Sequence, residues 1–319
     1  MAINDARLRW GRLNLRSNII YFSFIVIFLF FSIVLARKGF LTGGNLMNIA
    51  RQTAMISVMG VGMTFVLAAG EIDLSIGSIV ALSSLTTALG LRYAGMLGGI
   101  AAGIATGLLV GAVNGFFVSY IGVPSFLITL GMTGIIMGFA RWITQLQSVP
   151  ITNETYNFIF GSGDLGPVPI LFLWTLVLLV VGQLLLKKTQ FGRSVLATGG
   201  NRVSARYSGI NVGRIKFSVL ALNAVLASLA GMLYAGRLHG ARYTLGETDL
   251  MSVIAAVIIG GTSLSGGRGS VIGAIFGSLI MGMINNGLIL MGLSVDQQMI
   301  FRGVIIIIAV SLTMSEKAR

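Results

Sequence analysis

Glu71 and Asp73 are the residues of this chain best placed to do chemistry, because both interrupt a long apolar stretch in the segment GEIDLSIGS. Asp73 or Ser75 could cap the helix that follows, since either side chain can accept hydrogen bonds from the N–H groups left free at a helix start. Alternatively, Glu71, Asp73, Ser75 and Gly77 could form a gate or line a polar path. Both interpretations stay open at the level of the sequence.

The chain lacks the side chains of most catalytic and metal sites. It has no cysteine, which excludes disulfides, thiolate metal sites and cysteine catalysis. Its single histidine, His239, has no second imidazole with which to hold a metal. No Gly-Lys pair occurs, so the phosphate-binding GxxxxGK[ST] loop of ATP-using proteins is missing from the sequence. We therefore expect no catalytic residue, cofactor or metal on this chain.

The composition is that of a membrane protein. Charged residues make up 10% of the chain, against about 25% in soluble domains, and the mean hydropathy is +0.92. Apolar runs such as residues 19–36 and 170–186 lack the alternation of outer-membrane strands, and about 20 apolar residues suffice for a helix to cross a bilayer. The net charge of +13 resides in loops between these runs rather than in a nucleic-acid-binding patch. The predicted fold is an all-α polytopic membrane protein embedded in the lipid bilayer, with no nucleic-acid partner.

Two basic segments orient the predicted helices. Residues 1–17 are rich in arginine, and residues 187–216 carry seven Lys or Arg and no acid, so we expect both on the cytoplasmic side. An even number of helices between them, and four more after them, place the tail at residues 315–319 in the cytoplasm too. The membrane domain covers residues 18–314. Its ten helices are predicted at residues 18–36, 52–69, 75–92, 95–119, 124–140, 169–187, 216–236, 250–263, 270–292 and 299–314.

The basic segment at residues 187–216 contains its own helix signals. Asn201 is a good N-cap residue and Gly209 a good residue just after a C-cap, which predicts a short helix between them. Arg202 and Arg206 lie one turn apart on it, beside apolar residues such as Val203. The helix is either solvated without a partner or docked onto a cytoplasmic protein.

Glycines repeat at every fourth position in the fourth predicted helix, which favours close packing against another helix over a path lining. They are Gly99, Gly103, Gly107, Gly111 and Gly115, and a shorter series is formed by Gly269, Gly273 and Gly277. Two Gly/Ser-rich interruptions, at residues 68–78 and 259–270, share a Leu-Ser step. Paired interruptions of this kind are typical of internal repeats, so a repeat is possible.

Three blocks of the sequence resemble the permeases of ribose-type ABC importers. They are GEIDLSIGSIVALSS, TQFGRSVLATGGNRVSARYSGINVGRIK and IAAVIIGGTSLSGGRGSVIGAIFGSLIMGMINNGL, and the resemblance extends over residues 45–314. It implies one of two membrane subunits, a second copy or a paralogue being the other, in an importer of the bacterial inner membrane. A periplasmic sugar-binding protein would deliver the solute. A cytoplasmic ATPase with two nucleotide-binding modules would hold ATP and Mg²⁺.

The resemblance also implies roles for individual residues. The basic segment matches a coupling helix that sits in a groove of the ATPase, through Gly192, Arg193, Gly200, Asn201, Ala205, Ser208 and Gly209, to which the spacing adds Arg202 and Arg206. The two interruptions match membrane signatures that could form a gate or pathway, with Asp73, Ser75 and Gly77 in the first and Thr262 and Ser263 in the second.

The chain departs from its relatives at two positions. Glu71 stands where many relatives have glycine, and Ser252 stands where many have an acid, so ribose is less secure as the solute than the family is. A polyol, a furanosyl autoinducer, a nucleoside or a branched-chain amino acid stays open, as does a secondary carrier that works alone. Four amides could line the solute path or bond one helix to another, namely Asn114, Asn223, Asn285 and Asn286.

Overall fold

The computed structural model describes residues 15–315, which fold almost entirely as helices. Helix boundaries follow local signals. Helix α2, for example, begins at Gly43 because the Thr42 side chain accepts from the Asn45 amide at 3.3 Å. The helices are α1 (Leu15–Val34), α2 (Gly43–Ala68), α3 (Ile76–Phe116), α4 (Ser125–Thr144), α5 (Glu154–Asn157), α6 (Ile170–Lys188), α7 (Gln190–Gly200), α8 (Arg202–Tyr207), α9 (Val212–Leu238), α10 (Asp249–Ile259), α11 (Val271–Met291) and α12 (Val295–Ser315).

Helix α3 is a hairpin of two arms. A straight helix of 41 residues would be about 60 Å long, yet the Thr86 and Thr106 hydroxyls lie 2.8 Å apart. The chain reverses at Gly95, whose φ of +70° is a conformation that glycine adopts without strain. The two helices predicted at residues 75–92 and 95–119 are these two arms.

The second arm of α3 packs along α9, and the glycine series is the reason they approach so closely. A Cβ on Gly107 would lie 2.6 Å from the Ser228 Cβ, and one on Gly111 would lie 2.8 Å from the Ala221 Cα. The Ser228 hydroxyl also donates to the Gly103 carbonyl at 2.7 Å. The predicted packing role of this glycine series is confirmed.

Two loops meet at one end of α9. Strand β1 (Val149–Pro150), after α4, pairs antiparallel with strand β4 (Gly240–Ala241), after α9. A second short hairpin joins β2 (Asp164–Leu165) to β3 (Val168–Pro169). The Tyr156 hydroxyl donates to the Met232 carbonyl at 2.8 Å, and burial raises the pKa of this phenol, so it stays a neutral donor. The loops after α4 and α9 therefore share a side, and α7 and α8 lie at the other end of α9.

Helix α10 is shorter than predicted: it ends at Ile259 rather than at residue 263. At about 1.5 Å per residue, its 11 residues fall well short of a bilayer. Helix α11 packs against it at two glycines, since a Cβ on Gly273 or Gly277 would collide with the carbonyl of Gly260 or Ala256. The second glycine series thus also serves close packing.

The structure confirms a polytopic α-helical membrane protein, although not every detail of the predicted topology. A helix lies at each of the ten predicted places. Within residues 15–315, six helices are long and apolar enough to cross a bilayer by themselves, and one of these is the α3 hairpin with its short extension. Ten crossings, the internal repeat and the cytoplasmic placement of both ends remain predictions. The terminal segments fall largely outside the described residues.

Candidate functional site

Helix α8 forms where its capping residues predicted it. The Asn201 side chain accepts from the Ser204 amide at 2.9 Å, which caps the start. At the other end Gly209, with φ of +81°, donates from its amide to the Arg206 carbonyl, and the following amide donates to the Ala205 carbonyl. This pair of bonds is a Schellman motif. The predicted short helix is confirmed.

Helix α7, just before it, was not predicted. Its first turn is capped by Thr189, whose hydroxyl accepts from the Gly192 amide at 3.1 Å. Gly192 is buried against the end of α6. A Cβ at this position would collide with the Leu186 carbonyl, so the absence of a side chain lets α7 fold back against α6. Arg193 stays exposed, and one of its guanidinium nitrogens donates to the Lys188 carbonyl at 3.4 Å.

Helix α8 presents an unpacked outer surface. Ala205 faces inward and is buried, and the Ser208 hydroxyl bonds back to the Ser204 carbonyl. Val203 is 61% exposed and Tyr207 is 90% exposed. Exposed apolar side chains beside a basic residue, here Arg206, are typical of a protein-docking surface on a soluble face. We call Arg193, Val203, Arg206 and Tyr207 the docking face.

The junction between α7 and α8 touches both interruptions of the membrane helices. We call residues 68–75 the first break and residues 260–270 the second break. A Cβ on Gly199 would collide with the Ala68 carbonyl oxygen and would lie 2.6 Å from the Gly267 amide nitrogen. That amide itself donates to the Ala68 carbonyl at 2.9 Å. Gly200, by contrast, leaves 3.8 Å between its Cβ position and the Gly267 Cα. Both breaks thus meet at one point, where they contact Gly199 near the end of α7.

Glu71 is bound by two cations of the basic segment at residues 187–216. Its side chain is 5% exposed, and its carboxylate accepts from Arg202 and from Lys216 at 2.7 Å each. Arg202 also donates to the Gly70 carbonyl at 2.9 Å. Arg202 begins α8, so the helix expected to face an ATPase also holds the first break directly. Sequence patterns do not reveal this contact, because 131 residues separate Arg202 from Glu71.

The first break lies along one face of α4. The Ile72 amide donates to the Ser125 hydroxyl at 3.0 Å, and the Leu74 amide donates to the Thr129 hydroxyl at 3.0 Å. The Thr133 hydroxyl then donates to the Leu74 carbonyl at 3.2 Å. These three hydroxyls are four residues apart, which places them on one face of the helix. We call them the hydroxyl row.

Asp73 faces the opposite way, toward α9 and α3. It is fully buried, and its carboxylate accepts from the Ser75 amide at 2.9 Å, from the Ser75 hydroxyl at 2.6 Å and from the Asn223 side chain at 2.8 Å. The Ser75 hydroxyl accepts from the Asn114 side chain at 3.0 Å. The capping interpretation is wrong for Ser75, whose side chain makes no cap bond, whereas Asp73 does accept a backbone amide at the start of α3. Both side chains also fasten the first break to two helices. Gly77, in the next turn, would place a Cβ 2.5 Å from the Gly246 carbonyl, so α3 starts against the loop before α10.

The amides suggested as path-lining residues mostly bond helices together. Asn114 and Asn223 are fully buried in the Asp73 cluster. Asn286 exchanges two hydrogen bonds with Asn45, at 3.0 and 2.9 Å. Asn285 is partly exposed on the same helix. The structure thus favours interhelical bonding, the alternative to path lining, for three of the four.

The second break is a series of turns held by its own hydroxyls. Thr262 is fully buried, and its hydroxyl accepts from the Ser270 amide at 3.3 Å. The Ser263 hydroxyl accepts from the Ser265 amide at 3.3 Å. Ser270 in turn caps α11 by accepting from the Gly273 amide at 3.0 Å. The residues of this signature shape the backbone that Gly199 touches.

A cleft of about 470 Å³ opens between α4, the start of α3 and the loop before α10. Its volume falls within the roughly 300–1,000 Å³ of small-molecule sites. Three glycines of α4, at positions 131, 134 and 138, have open space at their Cβ positions, with no described atom within 4 Å. The residues around the cleft combine apolar and polar groups, and they are Leu74, Gly77, Ser78, Thr133, Gly134, Met137, Gly138, Arg141, Glu247 and Leu250.

Comparison with known proteins identifies the family. Residues 45–310 match a family described as the permease component of a branched-chain amino acid transport system. The ribose import permease protein of Bacillus subtilis is 39% identical over 299 residues, 92% of each chain. This chain belongs to the ribose-type family of ABC importer permeases.

Two further relatives show the range of this permease family. The ribose import permease protein of Escherichia coli K12 is 38% identical over 281 residues, which cover 85% of this chain and 86% of the relative. The xylose transport system permease protein of the same organism is 32% identical, over 96% of this chain and 94% of the relative. No solved structure matches this permease.

Proposed function

We propose that this permease forms the translocation path of an ATP-driven importer for a sugar or sugar-like solute in the bacterial inner membrane. A periplasmic binding protein delivers the solute. A cytoplasmic ATPase with two nucleotide-binding modules holds ATP and Mg²⁺ and docks on α8. The chain crosses the membrane ten times, with both ends in the cytoplasm, and has no catalytic residue of its own.

The position of the α7–α8 junction carries this proposal. On its outer side the docking face is exposed and contains two arginines, Arg193 and Arg206. On its inner side Gly199 lies against Ala68 of the first break and Gly267 of the second break. A coupling element needs both properties, because a partner must push on it and the membrane helices must respond. A solvated helix without a partner would need neither.

The glycine face of α4 supports a path formed with a second permease subunit. Small residues in membrane helices favour close approach of another helix. The Cβ positions of Gly131, Gly134 and Gly138 face space that is open within this chain. A second copy or a paralogue facing this side would enclose the cleft between the two subunits.

The cleft suits a polar solute of modest size. Arg141, Glu247 and Ser78 offer a guanidinium, a carboxylate and a hydroxyl, groups that bond well to sugar hydroxyls. Relatives named for ribose and xylose import agree with a pentose. The same uptake assay tests the alternative solutes, from polyols to branched-chain amino acids.

The experiment combines purification with charge reversal. The permease is purified from native membranes with its ATPase and reconstituted with the binding protein in vesicles, where ATP should drive uptake of radiolabelled ribose or xylose. Arg193→Glu with Arg206→Glu should abolish ATPase binding, because both side chains lie on the docking face. Arg92→Glu with Arg242→Glu, exposed at the other end of the bundle, is the matched control and should retain it. Uptake without any ATPase, or full ATPase binding by the first pair, would refute the proposal.

A further inference from the structure

We propose that Glu71 and the hydroxyl row form a mechanical linkage that transmits movement of α8 to α4, the wall of the cleft. This inference rests on the proposed function and specifies how the ATPase stroke reaches the path. Glu71 is then a positioning residue.

The linkage begins at a buried ion pair. The Glu71 carboxylate is almost fully buried and contacts two cations, Arg202 of α8 and Lys216 of α9. Arg202 holds the Gly70 carbonyl as well, so it contacts two adjacent residues of the first break. Movement of α8 away from the break would therefore separate Arg202 from both the Glu71 carboxylate and the Gly70 carbonyl.

The linkage continues through the backbone of the first break. Amides two residues apart, at Ile72 and Leu74, bond to hydroxyls one turn apart on α4. Both bonds are 3.0 Å long, so the backbone of the break is joined to this turn of α4 at two successive points. Only one residue, Ile72, lies between Glu71 and the Asp73 anchor. A displacement at Glu71 therefore reaches Ser125 and Thr129 rather than being absorbed by a flexible loop.

The linkage ends at the cleft. Thr133 belongs to both features, because its hydroxyl donates to the Leu74 carbonyl and its side chain lines the cleft. The next residues of α4 along the cleft are Gly134, Met137 and Gly138. A shift or rotation of α4 on the first break thus changes the width of the cleft directly.

Asp73 and Asn223 set the fixed point of this linkage. While the backbone groups of Ile72 and Leu74 bond to α4, the Asp73 side chain bonds to Asn223 in the middle of α9. The first break therefore lies between a moving helix on one side and the packed α3–α9 core on the other. That arrangement allows the break to pivot without leaving the bundle.

The test measures coupling rather than activity alone. In reconstituted vesicles, Glu71→Gln and Thr129→Val should each lower the number of solute molecules moved per ATP by about tenfold, a typical size for coupling between sites. ATPase binding should stay intact, because neither residue lies on the docking face. Glu71→Asp, which keeps the charge, should restore part of the coupling.

Matched controls lie on the same chain. Thr144→Val removes a hydroxyl at the other end of α4, where it bonds only to the Ala140 carbonyl among the described residues. Glu154→Gln removes an exposed carboxylate at the start of the short helix α5. Both should leave the solute-to-ATP ratio unchanged.

A second measurement reports the movement itself. Because the chain has no cysteine, a thiol introduced by Met137→Cys is a unique probe in the cleft. Its alkylation rate should change when ATP is added to the permease with wild-type Glu71, and should be insensitive to ATP in the Glu71→Gln background. A purely structural role for Glu71 would change stability and leave this ATP response in place.

The outcomes separate the linkage from the proposed function. Failure of the wild-type complex to take up solute with ATP would refute the proposed function, and the linkage with it. Uptake by the wild type, together with unchanged solute-to-ATP ratios and an unchanged thiol response in Glu71→Gln and Thr129→Val, would overturn the linkage alone. Thr129→Val keeps the test valid if Glu71→Gln does not fold.

Discussion

Replacing Gly199 by alanine should loosen the contact between α7–α8 and the breaks. The new methyl group would overlap the Ala68 carbonyl and lie 2.6 Å from the Gly267 amide nitrogen. Overpacking of this kind costs about 1–3 kcal/mol. Loss of the 2.9 Å bond from Gly267 to Ala68 adds about 1 kcal/mol, and the better helix propensity of alanine returns up to about 1 kcal/mol. We expect Gly199→Ala to lower the free energy of unfolding by about 1–3 kcal/mol.

The neighbouring glycine supplies the control. A Cβ on Gly200 would lie 3.8 Å from the Gly267 Cα, an ordinary contact distance. Gly200→Ala should therefore leave stability unchanged or raise it slightly, through helix propensity. Equilibrium unfolding of both variants in mixed detergent micelles measures the difference. Equal free energies for Gly199→Ala and Gly200→Ala would refute the close approach on which the coupling argument depends.

Two further predictions concern the amide pair and the cleft. In a double-mutant cycle, Asn45→Ala with Asn286→Ala should show a coupling energy of about 1 kcal/mol in unfolding, because each single variant leaves the other amide unpaired; additive effects would contradict the reciprocal bonding. Gly138→Leu should abolish uptake while leaving stability and ATPase binding intact, because its side chain would enter open space along the cleft. Ile135→Leu, on the exposed side of the same helix, should transport normally, and normal transport by Gly138→Leu would remove the cleft from the path.

Features set by neighbouring residues could be predicted from the sequence. The caps of α8 involve residues within five positions of one another, and glycines at every fourth position mark one face of a helix. Helix α10 was predicted too long because its apolar run continues to Gly260. The chain leaves the helix at Gly261, with φ of +87°, where the amides of Gly261 and the next residue donate to the Ile258 and Val257 carbonyls. Helix α2 was predicted too short because its first turns are polar.

Contacts between distant residues could not be predicted in this way. Glu71 and Arg202 carry opposite charges, but several other pairs in the sequence do too, and only the packed bundle selects this one. The amides illustrate the same point, since a buried asparagine looks identical in sequence whether it faces a solute or another helix. A local cap was one interpretation of Asp73, but its second partner, Asn223, lies 150 residues away and could not be found in that way.

The α3 hairpin and the Asp73 cluster have opposite consequences for biogenesis. The hairpin bond between Thr86 and Thr106, 20 residues later, can form as soon as both arms have been synthesised. Asp73 can bond to Ser75 at that stage, but its amide partner on α9 is still untranslated. The Asp73 cluster is therefore completed only after α9 has been synthesised and inserted.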